Sequence, residues 1–421
     1  MLNKLKSDIF LRRYAIYFSG SMVVAFLNYI FYPILGRLLS PANFGDVEAL
    51  ISLISQAGII FGAFSMVVIN ITANTEDPAE RDAIITELQK IAFWIIGIIF
   101  VILLFSLTTV RTFFHFSTIY PLLGLAIILP ITAVVTFRNA YLQGSGRFKD
   151  LSFAGIISSS GRLIFVTALV LLGAGVFGAT VGIVLANVAL LIYLIYKTKD
   201  TLHLGAKTNV HILEKGSVAR ELRFGGLVLF ASGLITLFST ADVLIVKHCL
   251  NPVDAGLYSG ISVIAGILFF AIGPSAAVLL SSVKIKNSFK ENAKPLKKAF
   301  ILSLIIAVVG LFTFYKFNDM VVKVMIGAKY AQYAYFLPKA GLMMLLAALT
   351  NIFIYYFLAL RRFFLIVIAL IGMVLLGSIF WRDHSTIDII LNNLIISLVI
   401  VIIPLIIIYA KDYFNSHTDL Q

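Results

Sequence analysis

Cysteine is nearly missing from these 421 residues, and Cys249 stands alone. A single thiol excludes an intrachain disulfide and any metal site built on cysteine ligands, and it leaves the redox compartment unreadable. Histidine is scarce too, and the six present are scattered without ligand spacing. Charge is the next shortage: 13% of the residues are charged, where a soluble domain carries about 25%. Acidic residues are the rarer sign, 20 against 33 basic, which leaves a net charge of +13. There is no phosphate-cradling glycine loop, no zinc-ligand spacing and no nucleophile elbow, so the common signatures of soluble enzymes are absent.

What is there is hydrocarbon. Hydrophobic residues make up 60% of the chain, aromatic residues 13%, and the mean hydropathy is +1.02. A membrane-spanning helix needs about 20 mostly apolar residues. That length selects twelve segments: 14–38, 46–72, 90–110, 118–142, 152–173, 176–196, 224–247, 256–282, 299–316, 334–360, 363–381 and 387–410. The first follows Lys4, Lys6, Arg12 and Arg13, as a signal peptide would. It is too long for one, carries Asn28 and Pro33, and lacks a small-residue cleavage site. The expected fold class is therefore an all-α polytopic membrane protein.

The chain also repeats itself. The corner Gly36-Arg-Leu-Leu-Ser-Pro-Ala-Asn-Phe-Gly-Asp-Val-Glu48 returns as Lys247-His-Cys-Leu-Asn-Pro-Val-Asp-Ala-Gly256, with Leu39, Pro41 and Gly45 falling on Leu250, Pro252 and Gly256. The same ungapped register pairs Arg12 with Arg223, Ser21 with Ser232, Ile34 with Ile245 and Gly62 with Gly273. A later echo sets Leu142 and Phe148 against Leu358 and Phe364. Self-similarity at half the chain length indicates two copies of one unit.

Basic residues set the orientation. Most gather in alternate connections, among them those holding Arg147 and Lys149, Lys284 to Lys298, and Arg361 and Arg362. By the positive-inside rule those connections and both termini are cytoplasmic. The positive net charge is then accounted for by cytoplasmic loops, and no nucleic acid partner is called for. Six helices per half bring the chain back to its starting side, so the repeats are parallel: residues 1–197 and 223–421 each form a six-helix bundle. The linker 198–222 between them is cytoplasmic, and from Val210 it mixes apolar and basic residues as an interfacial helix does. Transporters built from such repeats place the substrate near the midplane between the halves.

Ionisable groups inside a span cost about 2.5–3.5 kcal/mol and mark functional sites by default. Arg162 lies mid-span in Ser158-Ser-Ser-Gly-Arg162 with no acid next to it, and its fork suits a phosphate. A structural ion pair is the competing reading. Arg37, Arg138 and Lys339 are further candidate cations for an anionic substrate, although a long side chain snorkelling from a helix end accounts for Arg138 and an interfacial lysine for Lys339. The mid-span amides Asn28, Gln56, Asn187 and Asn351 suit hydrogen bonds between helices. Glu48 and Asp242 lie near the outer ends of their helices. Each either binds a coupling H+ or Na+, or pairs with Arg37 or Lys247 respectively. Asp46-Val-Glu48 also has the acidic-x-acidic form of membrane glycosyltransferases, but such an enzyme needs a sizeable outer loop and none is present.

Ile34-Leu-Gly-Arg-Leu-Leu-Ser-Pro-Ala-Asn-Phe-Gly45 resembles the opening of the bacterial and archaeal polysaccharide flippases. Ala241-Asp-Val-Leu-Ile-Val through Pro252-Val-Asp-Ala-Gly-Leu-Tyr258 is similar to their seventh-to-eighth helix corner, and Tyr141-Leu-Gln-Gly-Ser-Gly-Arg-Phe148 to the end of their fourth helix. The resemblance implies the polysaccharide transporter family of the multidrug/oligosaccharidyl-lipid/polysaccharide superfamily, with two six-helix bundles around a central cavity. It further implies a flippase that carries a polyprenyl-diphosphate oligosaccharide to the outer leaflet of a prokaryotic cell membrane by alternating access. Its partners would be that glycan lipid and the surrounding lipids, the chain acting as a monomer near a polysaccharide polymerase or glycosyltransferases. A cation-coupled drug exporter is the alternative within the same fold. No cofactor beyond a coupling ion is expected.

Overall fold

The computed structural model describes residues 9–203, 216–283, 288–379 and 385–418. All regular structure among them is helical, as expected. In chain order the helices are α1 (Ile9–Leu38), α2 (Pro41–Asn74), α3 (Pro78–Phe113), α4 (Tyr120–Gly144), α5 (Phe148–Leu169), α6 (Gly175–Thr198), α7 (Gly216–Cys249), α8 (Pro252–Ser282), α9 (Phe289–Lys316), α10 (Asn318–Met325), α11 (Leu337–Ala359), α12 (Phe364–Ile379) and α13 (Ile387–Thr418). A 3₁₀ stretch, Ala328–Phe336, leads into α11. Setting the short α10 aside, twelve helices match the twelve expected spans. Their length and apolar character make this a multi-pass membrane protein.

Local chemistry fixes where the helices start. Ser40 caps α2 with φ −62° and ψ 156°, followed by Pro41 at the first helical position. Asn251 caps α8 with φ −63° and ψ 156°, followed by Pro252. The repeated corner is thus the same backbone event twice: a side-chain oxygen satisfies the first N–H groups, and proline needs no partner there. Between α5 and α6 the chain turns through a single π-helical turn, Val170–Ala174, where Gly173 and Gly175 take φ of 85° and 51°. A side chain at either position would be strained.

Two boundaries differ most from the hydropathy reading. α3 begins at Pro78, twelve residues before the expected start at 90, capped by Asp77. α9 begins at Phe289, ten before 299, in a capping box made by Ser288 and Glu291. Both extensions are charged helix continuing past the hydrocarbon, which an apolar window cannot register. The expected interfacial helix of the linker falls partly on residues 204–215, outside the described residues. From Gly216 the chain is already the first turn of α7, so residues 216–222 form no separate element.

The chain divides into two compact units, Met1–Gly225 and Gly226–Gln421. Within the first, α2 packs on α4, α4 on α6, α5 on α6 and α1 on α5. Within the second, the corresponding pairs recur: α8 with α11, α11 with α13, and α12 with α13. Close approaches need small residues. A Cβ on Gly182 of α6 would come within 2.7 Å of the Val166 backbone on α5, so that helix pair depends on the missing side chain.

Candidate functional site

The first unit carries an open cavity of about 350 Å³ between α1, α2, α5 and α6. Its walls are Val24, Asn28, Ile51, Ile54, Ser55, Gly155, Ser158, Ser159, Arg162, Ile183, Ala186 and Asn187. These positions follow helical spacing. Ser158, Ser159 and Arg162 lie on one face of α5, and Ile51, Ile54 and Ser55 on one face of α2. The lining therefore combines apolar walls with hydroxyls, two amides and one cation. None of these lining residues is a carboxylate.

Arg162 is the only charge in that wall. Its Nη2 donates to Asn28 Oδ1 at 2.7 Å. Its guanidinium carbon lies 4.6 Å from the centroid of the Phe31 ring, three residues along the same face of α1. Among the described residues no carboxylate lies within ion-pair distance of it. An amide and a ring face hold the guanidinium in place without a direct ion pair among the described residues. Two other polar lining groups turn back on their own helices: Ser55 Oγ donates to Ile51 O at 2.9 Å and Asn187 Nδ2 to Ile183 O at 2.9 Å. Each hydroxyl so used still presents acceptor lone pairs. A cation ringed by small neutral polar groups is a set of groups with which an anion could pair.

The structure does not bring the other candidate cations to this cavity. Arg37 is exposed and donates to Pro33 O at 3.0 Å on its own helix end. Arg138 donates to Thr198 Oγ1, tying α4 to the end of α6. Lys339 belongs to the second unit and pairs with Asp388 at 2.5 Å.

The acidic residues have separate environments. Asp46 is fully buried and accepts from the backbone N–H of Ser117 at 3.1 Å and from its hydroxyl, so it pins the α3–α4 connection to the start of α2. Glu48 is buried one turn-side away, within electrostatic reach of Tyr32, which Arg162 also influences. Asp242 of α7 is 0% exposed. Its Oδ2 accepts from Tyr258 Oη at 2.8 Å and Ser262 Oγ at 2.5 Å, both on α8.

Sequence reasoning missed one further cluster. Asp82 near the start of α3 is buried, pairs with Arg81 at 2.8 Å, and accepts from the backbone N–H of His203 at 2.8 Å. Arg81 also donates to Thr201 O at 3.0 Å and lies over the Tyr141 ring at 5.1 Å, and Tyr141 Oη donates to Thr201 O at 2.8 Å. The residues just beyond α6 are thereby fastened to α3 and α4. Nothing local distinguishes Asp82 from the other charges before the third span, so this fastening was not readable in advance.

Residues 10–280 match the sequence profile of a family described as polysaccharide biosynthesis protein. Among curated protein sequences none matches the chain significantly. Solved structures do. An inward-facing multidrug resistance MATE family transporter of the MOP superfamily is 12% identical, covers 92% of this chain and 95% of its own, and gives a TM-score of 0.73. The lipid II flippase MurJ, in an inward closed conformation, is 12% identical over 97% of this chain and 91% of its own, with a TM-score of 0.66. A MOP superfamily transporter from Pyrococcus furiosus, described by the reverse polarity of its binding pocket, is 12% identical over 96% of this chain and 94% of its own, at 0.51. At such identities the likeness establishes the fold.

Proposed function

This chain belongs to the polysaccharide biosynthesis protein family, and from that premise we propose that it flips a lipid-linked oligosaccharide from the cytoplasmic to the outer leaflet of a prokaryotic cell membrane. The polar sugar-diphosphate head cannot cross hydrocarbon unaided, whereas the polyprenyl tail can stay in lipid throughout. Alternating access, with the cavity opening first to one side and then to the other, moves the head without a continuous pore. The orientation, with both termini in the cytoplasm, rests on the distribution of basic residues.

One observation carries the choice of substrate: the cavity wall holds a guanidinium and no carboxylate. A cationic drug would meet Arg162 as a like charge, and a phosphate would meet it as a partner. The lining of this cavity therefore favours the flippase over the cation-coupled exporter. Reconstitution into liposomes decides between the two. We expect a fluorescent polyprenyl-diphosphate oligosaccharide to change leaflets while a cationic dye stays put, and movement of the dye alone would reject the flippase.

The driving ion is assigned on different grounds. Asp242 is a buried carboxylate supported by two hydroxyls, an arrangement that can hold or release a proton without exposing a bare charge. Glu48 is the second buried carboxylate considered for this role. Asp242→Asn keeps an acceptor for Tyr258 and Ser262 but cannot titrate. The expected result is flipping that no longer responds to an imposed proton or sodium gradient. A wild-type gradient response in the Asp242→Asn and Glu48→Gln variants alike would make both carboxylates structural.

A further inference from the structure

Helix α9 of the second unit has two faces of opposite kind. Asn292, Leu296, Ala299, Ser303 and Ala307 recur every three or four residues and are buried, so that face packs on the unit. On the opposite face Ile301, Ile305, Val308 and Phe312 are 51–62% exposed, and in a membrane-spanning helix such a stripe meets lipid. Followed toward the start of the helix, the same stripe turns to lysine. Lys297, Lys294 and Lys290 continue it from Ile301 in steps of four, three and four residues, and Lys298 flanks them. All four lysines are exposed, and none makes an ion pair among the described residues. The acids nearby are already engaged. Glu291 closes the capping box by accepting from the Ser288 N–H at 3.0 Å. Phe289 packs on Tyr409 and Tyr413 of α13, and Asp412 at that end of α13 faces Arg362 at 3.4 Å.

Depth decides what these lysines meet. At about 1.5 Å per residue, Lys298 and Lys297 lie roughly 5 and 6 Å before Ile301, Lys294 about 10 Å and Lys290 about 16 Å. The headgroup layer on each side of the hydrocarbon is about 5–8 Å thick. Helical side chains lean toward the N-terminus, so the ammonium groups reach away from the hydrocarbon. Lys297 and Lys298 therefore stand at the level of lipid phosphates, with Lys294 and Lys290 at its outer edge. The corresponding helix of the first unit lacks this feature. α3 also begins as charged helix, but there Glu80, Asp82 and Glu87 accompany Arg81 and Lys90, and both bases are paired with acids of their own helix. Membrane orientation asks for basic residues on one side, and not for their alignment with the lipid-facing stripe.

We infer that Lys290, Lys294, Lys297 and Lys298 bind the headgroups of anionic phospholipids against the lipid-facing side of α9. The test uses the full-length protein in phosphatidylcholine nanodiscs. These are doped with phosphatidylglycerol or phosphatidylcholine carrying the same photoreactive group beside the glycerol, and crosslinks to residues 289–302 are mapped by mass spectrometry. At low salt the phosphatidylglycerol probe should label that segment about tenfold more than the phosphatidylcholine probe, and about 1 M salt should remove most of the excess. Lys297→Gln with Lys298→Gln should cut the excess about fivefold or more, and arginine at both positions should retain it. Lys316→Gln with Lys323→Gln removes the same charge at the other end of α9 and on α10, and should leave the labelling unchanged. A wild-type melting temperature in phosphatidylcholine alone would show that the variants fold. Equal labelling by the two probes would overturn the inference, as would an equal loss in the Lys316 and Lys323 variant. So would displacement by inorganic phosphate beyond that by chloride of the same ionic strength, which would make the occupant a free anion.

Discussion

Arg162 shows how much a single side chain can disclose. A guanidinium within a span is costly, and a cell retains one where it meets a partner. The partners in this structure, Asn28 and Phe31, orient the group without neutralising it. Arg162→Gln should leave membrane insertion and abundance unchanged and abolish flipping. Arg162→Lys should recover only part of the rate, because an ammonium cannot grip two phosphate oxygens as a fork does. Flipping by the glutamine variant at the wild-type rate would sink the assignment. The depth of Arg162 was legible in the sequence because the span around it was. Its setting was not: Asn28 lies 134 residues away, and Phe31 is one of 35 phenylalanines until a fold places it. Lys339 makes the converse point, since only the structure supplies Asp388 as its partner.

The helix ends divide in the same way. Both corners were readable because a capping residue followed by proline is a local signal, and the structure repeats the cap geometry to within a degree. The starts of α3 and α9 were not, because their first turns are charged helix, and hydropathy responds to lipid rather than to helicity. Those first turns of α3 carry the fastening around Asp82. Removing one partner of a buried ion pair costs about 3–5 kcal/mol, since the other is left without compensation. Asp82→Ala strands Arg81 and the His203 N–H together. We expect a lower melting temperature in detergent and faster proteolysis just after α6. A variant as heat-stable and protease-resistant as wild type would show that the fastening contributes little.

Over the whole chain, the fold was legible because twelve apolar segments and a duplication leave few arrangements, and the second unit repeats three of the first unit's helix pairings. The chemistry was less so, because duplication preserves packing and not side chains. In the register that sets Pro41 on Pro252, Phe31 falls on Asp242. One unit puts a ring beneath a guanidinium at that place, and the other puts a carboxylate beneath two hydroxyls. Periodicity cannot tell such positions apart.

The guanidinium of Arg162 also has an electrical consequence. When a cavity switches its access from one side to the other, any charge fixed inside it crosses the membrane field in effect. A diphosphate bound at Arg162 makes the loaded carrier net negative, and the empty carrier is net positive. An interior-negative membrane then drives the loaded form outward and the empty form back, at about 2.3 kcal/mol per charge per 100 mV on each stroke. Such a carrier is electrogenic in both halves of its cycle, and the potential adds to any ion gradient acting through Asp242 or Glu48. In proteoliposomes under a potassium diffusion potential, flipping should speed up when the loading side is negative and slow down when it is positive. Wild-type rates that are the same at either sign of the voltage would refute this account of the cycle.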